Sequence, residues 1–202
     1  MKTILRQFLA PAAVALAAGL LALSAPAAQA AEVAGVKLDD STKVGGKDLK
    51  LNGAGVRTRA VFKVYVMGLY LGKKETSTDA VLAAAGPRRI TIVMLRDVSG
   101  DDFGQAFMTG INNNSDKAEK GKLLNQMTRL GEMFQAVPGG LKKGDTLTVD
   151  WVPEKGTVVE LNGKLISDPP LPDVAFYNAL LKIWLGEKPA DSSLKPQLLG
   201  AS

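Results

Sequence analysis

The 202-residue sequence predicts an α+β fold in which one antiparallel sheet carries helices on one face. Three observations favour this class. Segments with the alternation of β-strands lie on both sides of two helical segments, and a last helical segment follows them. The dipeptide Asn162-Gly163 separates two short strands and indicates a tight hairpin. No repeat or long linker divides the chain, so we expect a single domain.

Residues 1–30 have the pattern of a secretory signal peptide. Lys2 and Arg6 precede an apolar, alanine-rich segment that ends at the small-residue site Ala28-Gln29-Ala30. We therefore expect cleavage after this site, a mature domain of residues 31–202, and a periplasmic or secreted location. The alanine-rich leader suggests a bacterial source. The alternative is that the segment is retained as a membrane anchor. No later segment has the ~20 apolar residues of a membrane helix.

The sequence contains no cysteine and no histidine, which excludes several kinds of chemistry. Disulfides, thiol nucleophiles and thiolate metal sites need cysteine. Ser-His-Asp triads, zinc-hydrolase motifs and haem ligation by histidine need histidine. Any acid–base chemistry would have to use Asp, Glu, Lys, Tyr or bound water. We accordingly predict no metal site and no cofactor.

The charge of the chain is mildly positive. The formal net charge is +5, and loss of the two cations of the leader lowers it to +3. Basic residues are interspersed with acidic ones and form no basic arm. This balance supports solubility but does not indicate a nucleic-acid partner. We therefore expect no nucleic-acid binding and, after cleavage of the leader, no membrane span.

The first part of the mature chain predicts strands. Residues 31–50 predict a short strand, a turn and a lead-in to the next strand. Residues 51–71, LNGAGVRTRAVFKVYVMGLYL, predict a long strand or a hairpin. From Val56 onward, one set of alternate residues is mostly apolar, which predicts a buried face. The other set becomes apolar only at its end, and it begins with Arg57, Arg59, Val61, Lys63 and Tyr65.

The middle of the chain predicts one strand and three helices. Residues 73–86 predict a turn and a short helix, and residues 88–98 predict a strand. A longer helix is predicted to begin at Asp101 and Asp102, because acidic residues favour the N-terminal end of the helix dipole. The apolar face of this helix consists of Phe103, Ala106, Phe107 and Ile111, before a break at residues 112–115. Asp116 predicts the start of the next helix, whose apolar stripe consists of Leu123, Leu124, Met127, Leu130, Met133 and Phe134.

The last part of the chain predicts strands and a final helix. Residues 146–168 predict three short strands, of which the last two are joined at Asn162-Gly163. Residues 172–186 predict an amphipathic helix with Gly186 as its C-cap. The apolar face of this helix consists of Phe176, Ala179, Leu180, Ile183 and Trp184. Residues 187–200 predict irregular structure.

The polar side chains of residues 51–71 form a candidate site. Arg57 and Arg59 share a predicted strand face with Lys63 and Tyr65. Together they could hold a carboxylate, because a guanidinium binds both carboxylate oxygens and a phenol adds one hydrogen bond. The alternative is a solvated strand end. The Asn run at 112–114 is typical of a loop, although one amide could reach a site beneath the sheet.

Four segments, in their order along the chain, resemble the chalcone isomerase-like superfamily, and in particular its exported bacterial branch. They are LNGAGVRTRAVFKVYVMGLYL at 51–71, RRITIVMLRDVSGDDFGQAF at 88–107, VELNGKLI at 159–166 and FYNALLKIWLGEKPADSSLKPQLLG at 176–200. The resemblance covers residues 33–200. It implies an open-faced β-sandwich, in which a large antiparallel sheet is covered by a helical layer.

The resemblance places two binding residues on the segment at 51–71. The true isomerases close a chalcone to a flavanone, and their cleft arginine corresponds to Arg57. Arg59 is the alternative, because the match contains a gap. A threonine of their site corresponds to Tyr65. In the fatty-acid-binding branch of the superfamily, an arginine and a tyrosine at these two places hold a carboxylate, so the resemblance implies this role for Arg57 and Tyr65.

Two other polar residues of the isomerase site have no equivalent. The tyrosine of the true isomerases corresponds to Phe103, which has no hydroxyl to bond a ketone or water. Their asparagine corresponds to Gly110, although Asn112 lies nearby. The resemblance therefore implies a non-catalytic protein that binds a small apolar carboxylate, such as a fatty acid, between sheet and helices. Candidates for the lining of this cleft are Phe103, Phe107, Met67 and Asn112.

Two other functions stay open. An isomerase or lyase would act on a chalcone-like or other phenolic substrate, with Arg57 as electrophile and bound water as acid–base relay. A structural or interaction protein would have a cleft without a ligand. The three functions require different cleft geometries, so the structure around Arg57 can distinguish between them.

Overall fold

The computed structural model describes residues 30–201. The predicted signal peptide lies outside the described residues, except for its last residue, Ala30. Nine strands are assigned in this part of the chain: β1 (Ala31–Val33), β2 (Val36–Leu38), β3 (Ser41–Val44), β4 (Lys47–Arg59), β5 (Phe62–Leu71), β6 (Arg88–Met94), β7 (Thr146–Val152), β8 (Gly156–Leu161) and β9 (Lys164–Leu165). Five helices accompany them there: α1 (Thr78–Ala83), α2 (Gly100–Asn114), α3 (Lys117–Gln135), α4 (Val174–Leu185) and α5 (Leu194–Leu198).

Strands β3 to β9 form a seven-stranded sheet in which each strand pairs antiparallel with the next strand in sequence. β1 and β2 form a separate two-stranded hairpin. α1 lies in the connection between β5 and β6, and α2 and α3 lie between β6 and β7. The chain thus leaves the sheet to form helices and returns to the neighbouring strand. The predicted class, a large antiparallel sheet with a helical layer, is confirmed.

Apolar side chains of the sheet and of α2, α3 and α4 form the main core. α4 is the centre of the helical layer, since eight of its 12 residues are buried. Sheet residues of this core that are 0% exposed include Met67, Leu69, Ile90, Ile92, Leu147 and Val149. Each large apolar side chain that folding removes from water contributes about 1.5–3 kcal/mol. This layer therefore fixes the position of α4 above the sheet.

Helices α2 and α3 begin close to the positions predicted from their acidic residues. The Ser99 hydroxyl caps α2 by accepting the backbone N–H of Asp102 at 3.1 Å. The Asp116 carboxylate caps α3 by accepting the backbone N–H of Glu119 at 2.8 Å. The predicted stripe of α3 is wrong at Leu124, whose residue surface is 59% exposed. In the described part of the chain, no helix has both the length and the apolar character to cross a bilayer.

The hairpin of β4 and β5 differs from the predicted alternation. Arg57 pairs with Tyr65, but the next pair toward the turn skips one residue of β5, Val64, which forms a β-bulge. As a result, Phe62 shares the face of Arg57, whereas Lys63 lies on the other face. The predicted placement of Lys63 beside Tyr65 is therefore wrong, because a bulge reverses the alternation that the sequence pattern assumes.

The C-terminal residues, predicted to be irregular, contain helix α5. This helix lies against β4, and Leu194 and Leu198 are 0% exposed. Glycine in β4 permits the close approach, since a Cβ on Gly53 would collide with the carbonyl oxygen of Gln197. The adjacent Asn52 amide donates to the carbonyl oxygen of Leu198 at 2.8 Å. The end of the described chain thus holds β4 in place.

Candidate functional site

A cavity of about 440 Å³ lies between the β4–β5 hairpin and helices α2 and α4. Its volume is within the range of small-ligand sites. The loop at residues 96–99 and the end of α4 complete its walls. The cavity brings together four of the five site residues suggested by the sequence: Arg57, Tyr65, Phe103 and Phe107.

Tyr65 lies opposite Arg57 and is hydrogen-bonded to the helical layer. The Arg57 guanidinium carbon is 5.6 Å from the centre of the Tyr65 ring. The indole Nε1 of Trp184 donates to the Tyr65 hydroxyl oxygen at 2.7 Å. Because an indole nitrogen can only donate, the phenol oxygen accepts in this bond and its own hydrogen stays available. Among residues 30–201, no group accepts that hydrogen, so the site presents a free donor.

Tyr65 is a neutral phenol at neutral pH. Burial raises its pKa to about 12, although the charge of Arg57 and the hydrogen bond from Trp184 act in the opposite direction. Only 4% of its surface is exposed. A phenol with this pKa is not a general base near neutral pH. It is suited to donating a hydrogen bond to an anionic or carbonyl oxygen.

Arg57 supplies a positive charge that no described acid neutralises through an ion pair. Acids near the cavity are held by other groups. The Asp97 carboxylate is 3.4 Å from Lys142 Nζ, and the Asp191 carboxylate accepts the backbone N–H of Thr58 at 2.7 Å. A ligand carboxylate could therefore meet the half-buried Arg57 without displacing a carboxylate of the protein.

Both arginines that the sequence left as alternatives line the cavity. Arg57 is half-buried beside Tyr65, whereas Arg59 is exposed at the mouth. Arg96 lies at the mouth as well, together with Asp102. The lining as a whole holds three arginines and two aspartates, and this net positive charge favours an anionic ligand.

The inner wall of the cavity is aromatic. Phe103 and Phe107, both on α2, have ring centres 4.9 Å apart. Phe107 meets the Trp184 ring edge-on at 5.4 Å, and Phe134 of α3 lies 4.9 Å from Phe103. These contacts make a rigid apolar surface opposite the arginines. Such a surface suits an acyl chain or an aromatic ring.

Two residues expected in the lining lie elsewhere. Met67 is 0% exposed within the core, and Asn112 is exposed on α2; neither lines the cavity. Asn112 follows Gly110 by two residues, which turns it about 200° around the helix. Gly110 itself packs against α4, because a Cβ there would lie 2.6 Å from Cγ2 of Ile183. Gly110, to which the resemblance assigned the isomerases' asparagine, thus has no room for a larger side chain, and Asn112 does not reach the cavity.

Trp184 and Phe62 are cavity residues to which the sequence pattern gives no site role. The pattern places Trp184 on the apolar face of a helix. Its signal is the indole N–H, which needs an acceptor when it is buried. Phe62 reaches the cavity because of the bulge at Val64, and the sequence carries no comparable signal for this bulge.

A seven-stranded antiparallel sheet with a cavity beneath its helical layer defines the class of this protein. A family model described as chalcone isomerase-like matches residues 30–200. The chain therefore belongs to the chalcone isomerase-like family, and the family resemblance seen in the sequence is confirmed. No curated protein matches the chain.

Solved structures share this fold at low sequence identity. One is the crystal structure of a fatty-acid binding protein from Arabidopsis thaliana, with a TM-score of 0.65 and 15% identity. The similarity covers 82% of this chain and 92% of the plant chain. At this identity the comparison shows a common fold, and the function has to be argued from the site.

Proposed function

We propose that this protein binds a small apolar carboxylate, such as a fatty acid, in the cavity and does not catalyse a reaction. The observation that carries the proposal is the Tyr65 hydroxyl, which donates to no group of residues 30–201, beside the Arg57 guanidinium, which forms no ion pair with those residues. These two groups supply charge-assisted hydrogen bonds of the kind that hold a carboxylate. The apolar part of the ligand would lie against Phe103 and Phe107.

A role without catalysis is supported by the polar groups that the cavity lacks. The family resemblance places Phe103 where the isomerases have a tyrosine, and its ring offers no hydroxyl to a ketone. Tyr65, with a pKa of about 12, remains a donor rather than a base. The fold shared with a plant fatty-acid binding protein is in keeping with this role.

We also propose that the protein works outside the cytoplasm, in the periplasm or beyond. The support is the sequence of residues 1–30, with its basic start, apolar segment and small-residue cleavage site. Cell fractionation with N-terminal sequencing tests this location. We expect an extracytoplasmic protein that begins at Ala31, and a cytoplasmic protein that keeps the leader would overturn the proposal.

A titration of delipidated protein with palmitate and with methyl palmitate tests the ligand class. We expect the ester to bind about tenfold or more weakly, because it loses charged hydrogen bonds that are worth ~1.5–3 kcal/mol. Arg57→Met should weaken palmitate binding by a similar factor. Arg129→Met is the matched control, since Arg129 does not line this cavity. Equal affinity for acid and ester, or no effect of Arg57→Met, would overturn the proposal.

A phenolic ligand is the second candidate, and the aromatic wall beside Arg57 favours it. A ketone or phenolate oxygen could accept the same Tyr65 hydrogen. The enzyme would then be an isomerase or lyase with Arg57 as electrophile. Chalcone absorbance, followed with and without protein, separates the two. A rate above background that Arg57→Met abolishes would overturn the proposed binding function and show that the protein is an enzyme.

A further inference from the structure

The turn between β4 and β5 exposes two adjacent apolar side chains. Val61 is 84% exposed and Phe62 is 57% exposed. Single exposed apolar residues are ordinary on protein surfaces, but two neighbours at the end of a hairpin form a protruding apolar point. This point stands at the mouth of the cavity, since Ala60 and Phe62 line it.

Local folding does not explain the residues of this turn. Ala60 has a φ of 53°, in the left-handed region that favours glycine, asparagine and aspartate. Two other two-residue turns of the same sheet use the expected residues, Gly45-Gly46 and Asn162-Gly163. The alanine therefore costs some stability at this position, and burial does not account for the valine.

Cations surround the apolar point. Arg59 and Lys63 flank the turn, and the Arg96 guanidinium carbon lies 4.7 Å from the centre of the Phe62 ring. Within the described chain, none of these three cations forms an ion pair. We use the name tip surface for the set Arg59, Ala60, Val61, Phe62, Lys63 and Arg96.

The neighbouring loop adds positive charge rather than removing it. The loop before β7 carries Lys142, Lys143 and one acid, Asp145, and it lies at the same end of the sheet because β4 to β7 are adjacent antiparallel strands. Asp97, the acid next to the tip surface, is engaged by this loop. It lies 3.4 Å from Lys142 Nζ and accepts the backbone N–H of Lys143 at 2.9 Å. The tip surface thus combines apolar side chains with three cations that form no ion pair with a described residue.

We propose that the tip surface docks on an anionic phospholipid bilayer. Val61 and Phe62 enter the boundary between headgroups and acyl chains, while Arg59, Lys63 and Arg96 meet lipid phosphates. The mouth of the cavity then faces the bilayer, so an apolar ligand passes between the two without crossing water. Docking follows from the tip surface alone, whereas this transfer rests on the proposed carboxylate-binding function.

The shape of the tip surface favours a bilayer over a protein partner. A specific protein interface covers about 800 Å² on each partner. Two side chains on a convex two-residue turn offer much less than that. Interfacial membrane binding needs only a small apolar insertion supported by cations, since each basic residue near an anionic surface adds about fivefold to the partition coefficient.

Sedimentation with vesicles tests the docking. The protein used is residues 31–202, the chain without its predicted signal peptide. We expect binding to phosphatidylcholine vesicles that contain phosphatidylglycerol, and none to pure phosphatidylcholine. Lys63→Glu should lower the partition coefficient about twentyfold, because it changes two charges. Val61→Ser should lower it about tenfold through the lost apolar insertion. Neither residue lines the cavity.

Matched controls lie elsewhere on the surface. Lys47→Glu, at the opposite end of β4, and Leu124→Ser, at an exposed leucine of α3, should leave vesicle binding unchanged. Equal losses in these controls and in the tip variants would overturn the proposal. A dimer in sedimentation velocity that Val61→Ser abolishes would also overturn it, and would assign the surface to a second copy of the chain.

Palmitate titration without vesicles separates this proposal from the proposed function. We expect Val61→Ser and Lys63→Glu to keep the affinity of the unchanged protein for palmitate. Vesicle binding without palmitate binding would support docking and overturn the carboxylate-binding function. Palmitate binding without vesicle binding would overturn docking alone.

Discussion

The indole nitrogen of Trp184 donates a 2.7 Å hydrogen bond to the hydroxyl oxygen of Tyr65. This bond joins α4 to β5 across 119 positions of the chain. It holds the phenol oxygen at the edge of the aromatic wall and turns the phenol hydrogen away from the indole. The position of the phenol beside Arg57 therefore depends on a residue of the helical layer.

A double-mutant cycle should reveal this bond as a coupling energy. Trp184→Phe and Tyr65→Phe should each lower the free energy of unfolding by about 1–3 kcal/mol, because each removes a buried hydrogen bond and leaves its partner unsatisfied. The loss of unfolding free energy in the double variant should be smaller than the sum of the two single losses by about 0.5–1.5 kcal/mol. Urea unfolding followed by circular dichroism gives all four values. Strict additivity would show that the bond contributes nothing.

The tyrosines should remain protonated well above pH 10 while the protein is folded. Burial raises the pKa of Tyr65 and of Tyr70 to about 12, and it also raises the pKa of Tyr177. An unfolded chain ionises near pH 10, so it binds fewer protons than the folded state above that pH. Stability should therefore fall as the pH rises from about 10 to about 12 and should be unaffected by these groups at lower pH.

Phenolate absorbance and circular dichroism, recorded over the same alkaline titration, check this expectation. Ionisation should coincide with loss of structure. An ionisation midpoint near pH 10 in a protein that keeps its circular dichroism spectrum would contradict the burial of these side chains.

Two glycine-to-alanine changes should have opposite effects. Gly110→Ala should destabilise the protein by about 1–3 kcal/mol, because its Cβ would lie 2.6 Å from Cγ2 of Ile183 and push α2 away from α4. Gly121→Ala on α3 should stabilise it by about 0.5–1 kcal/mol, since apart from the backbone of its own helix nothing lies within 4 Å of the added Cβ. Thermal and urea unfolding of both variants provide the comparison. Stabilisation by both would mean that α2 and α4 do not pack closely.

Arg88 should tolerate methionine better than alanine. The side chain is 1% exposed, and one of its guanidinium nitrogens donates to the carbonyl oxygens of Val81 and Leu82 and to the side chain of Asn178. Arg88→Ala should cost about 2–5 kcal/mol through a cavity and lost hydrogen bonds. Arg88→Met fills the volume without a buried charge, so its cost should be smaller. Equal unfolding midpoints in urea would refute this difference.

The regular parts of the fold were predictable because their signals are local. The start of α3 follows from Asp116, whose carboxylate caps the helix. The hairpin at Asn162-Gly163 follows from two residues that accept positive φ, and their φ angles are 51° and 74°. Arg57 and Tyr65 were within reach of sequence reasoning because the family resemblance placed both on one segment.

The remaining parts depend on contacts that no local pattern records. The bulge at Val64 depends on pairing between strands, so the alternation placed Lys63 on the wrong face. Trp184 has the spacing of a core residue, and its bond to β5 arises only from the packing of α4. Asn112 is near Gly110 in sequence, but helix geometry turns it to solvent.

The last helix has a consequence for how the protein is made. The strand that carries Arg57 is held at its end by Asp191, which accepts the backbone N–H of Thr58, and α5 lies along the same strand. Trp184 comes from the same late region of the chain. A growing polypeptide therefore presents the arginine and the phenol early, but these residues form a site only after the segment from Trp184 to Leu198 has also been synthesised. A chain cut before Trp184 would contain the described strands without a finished cavity.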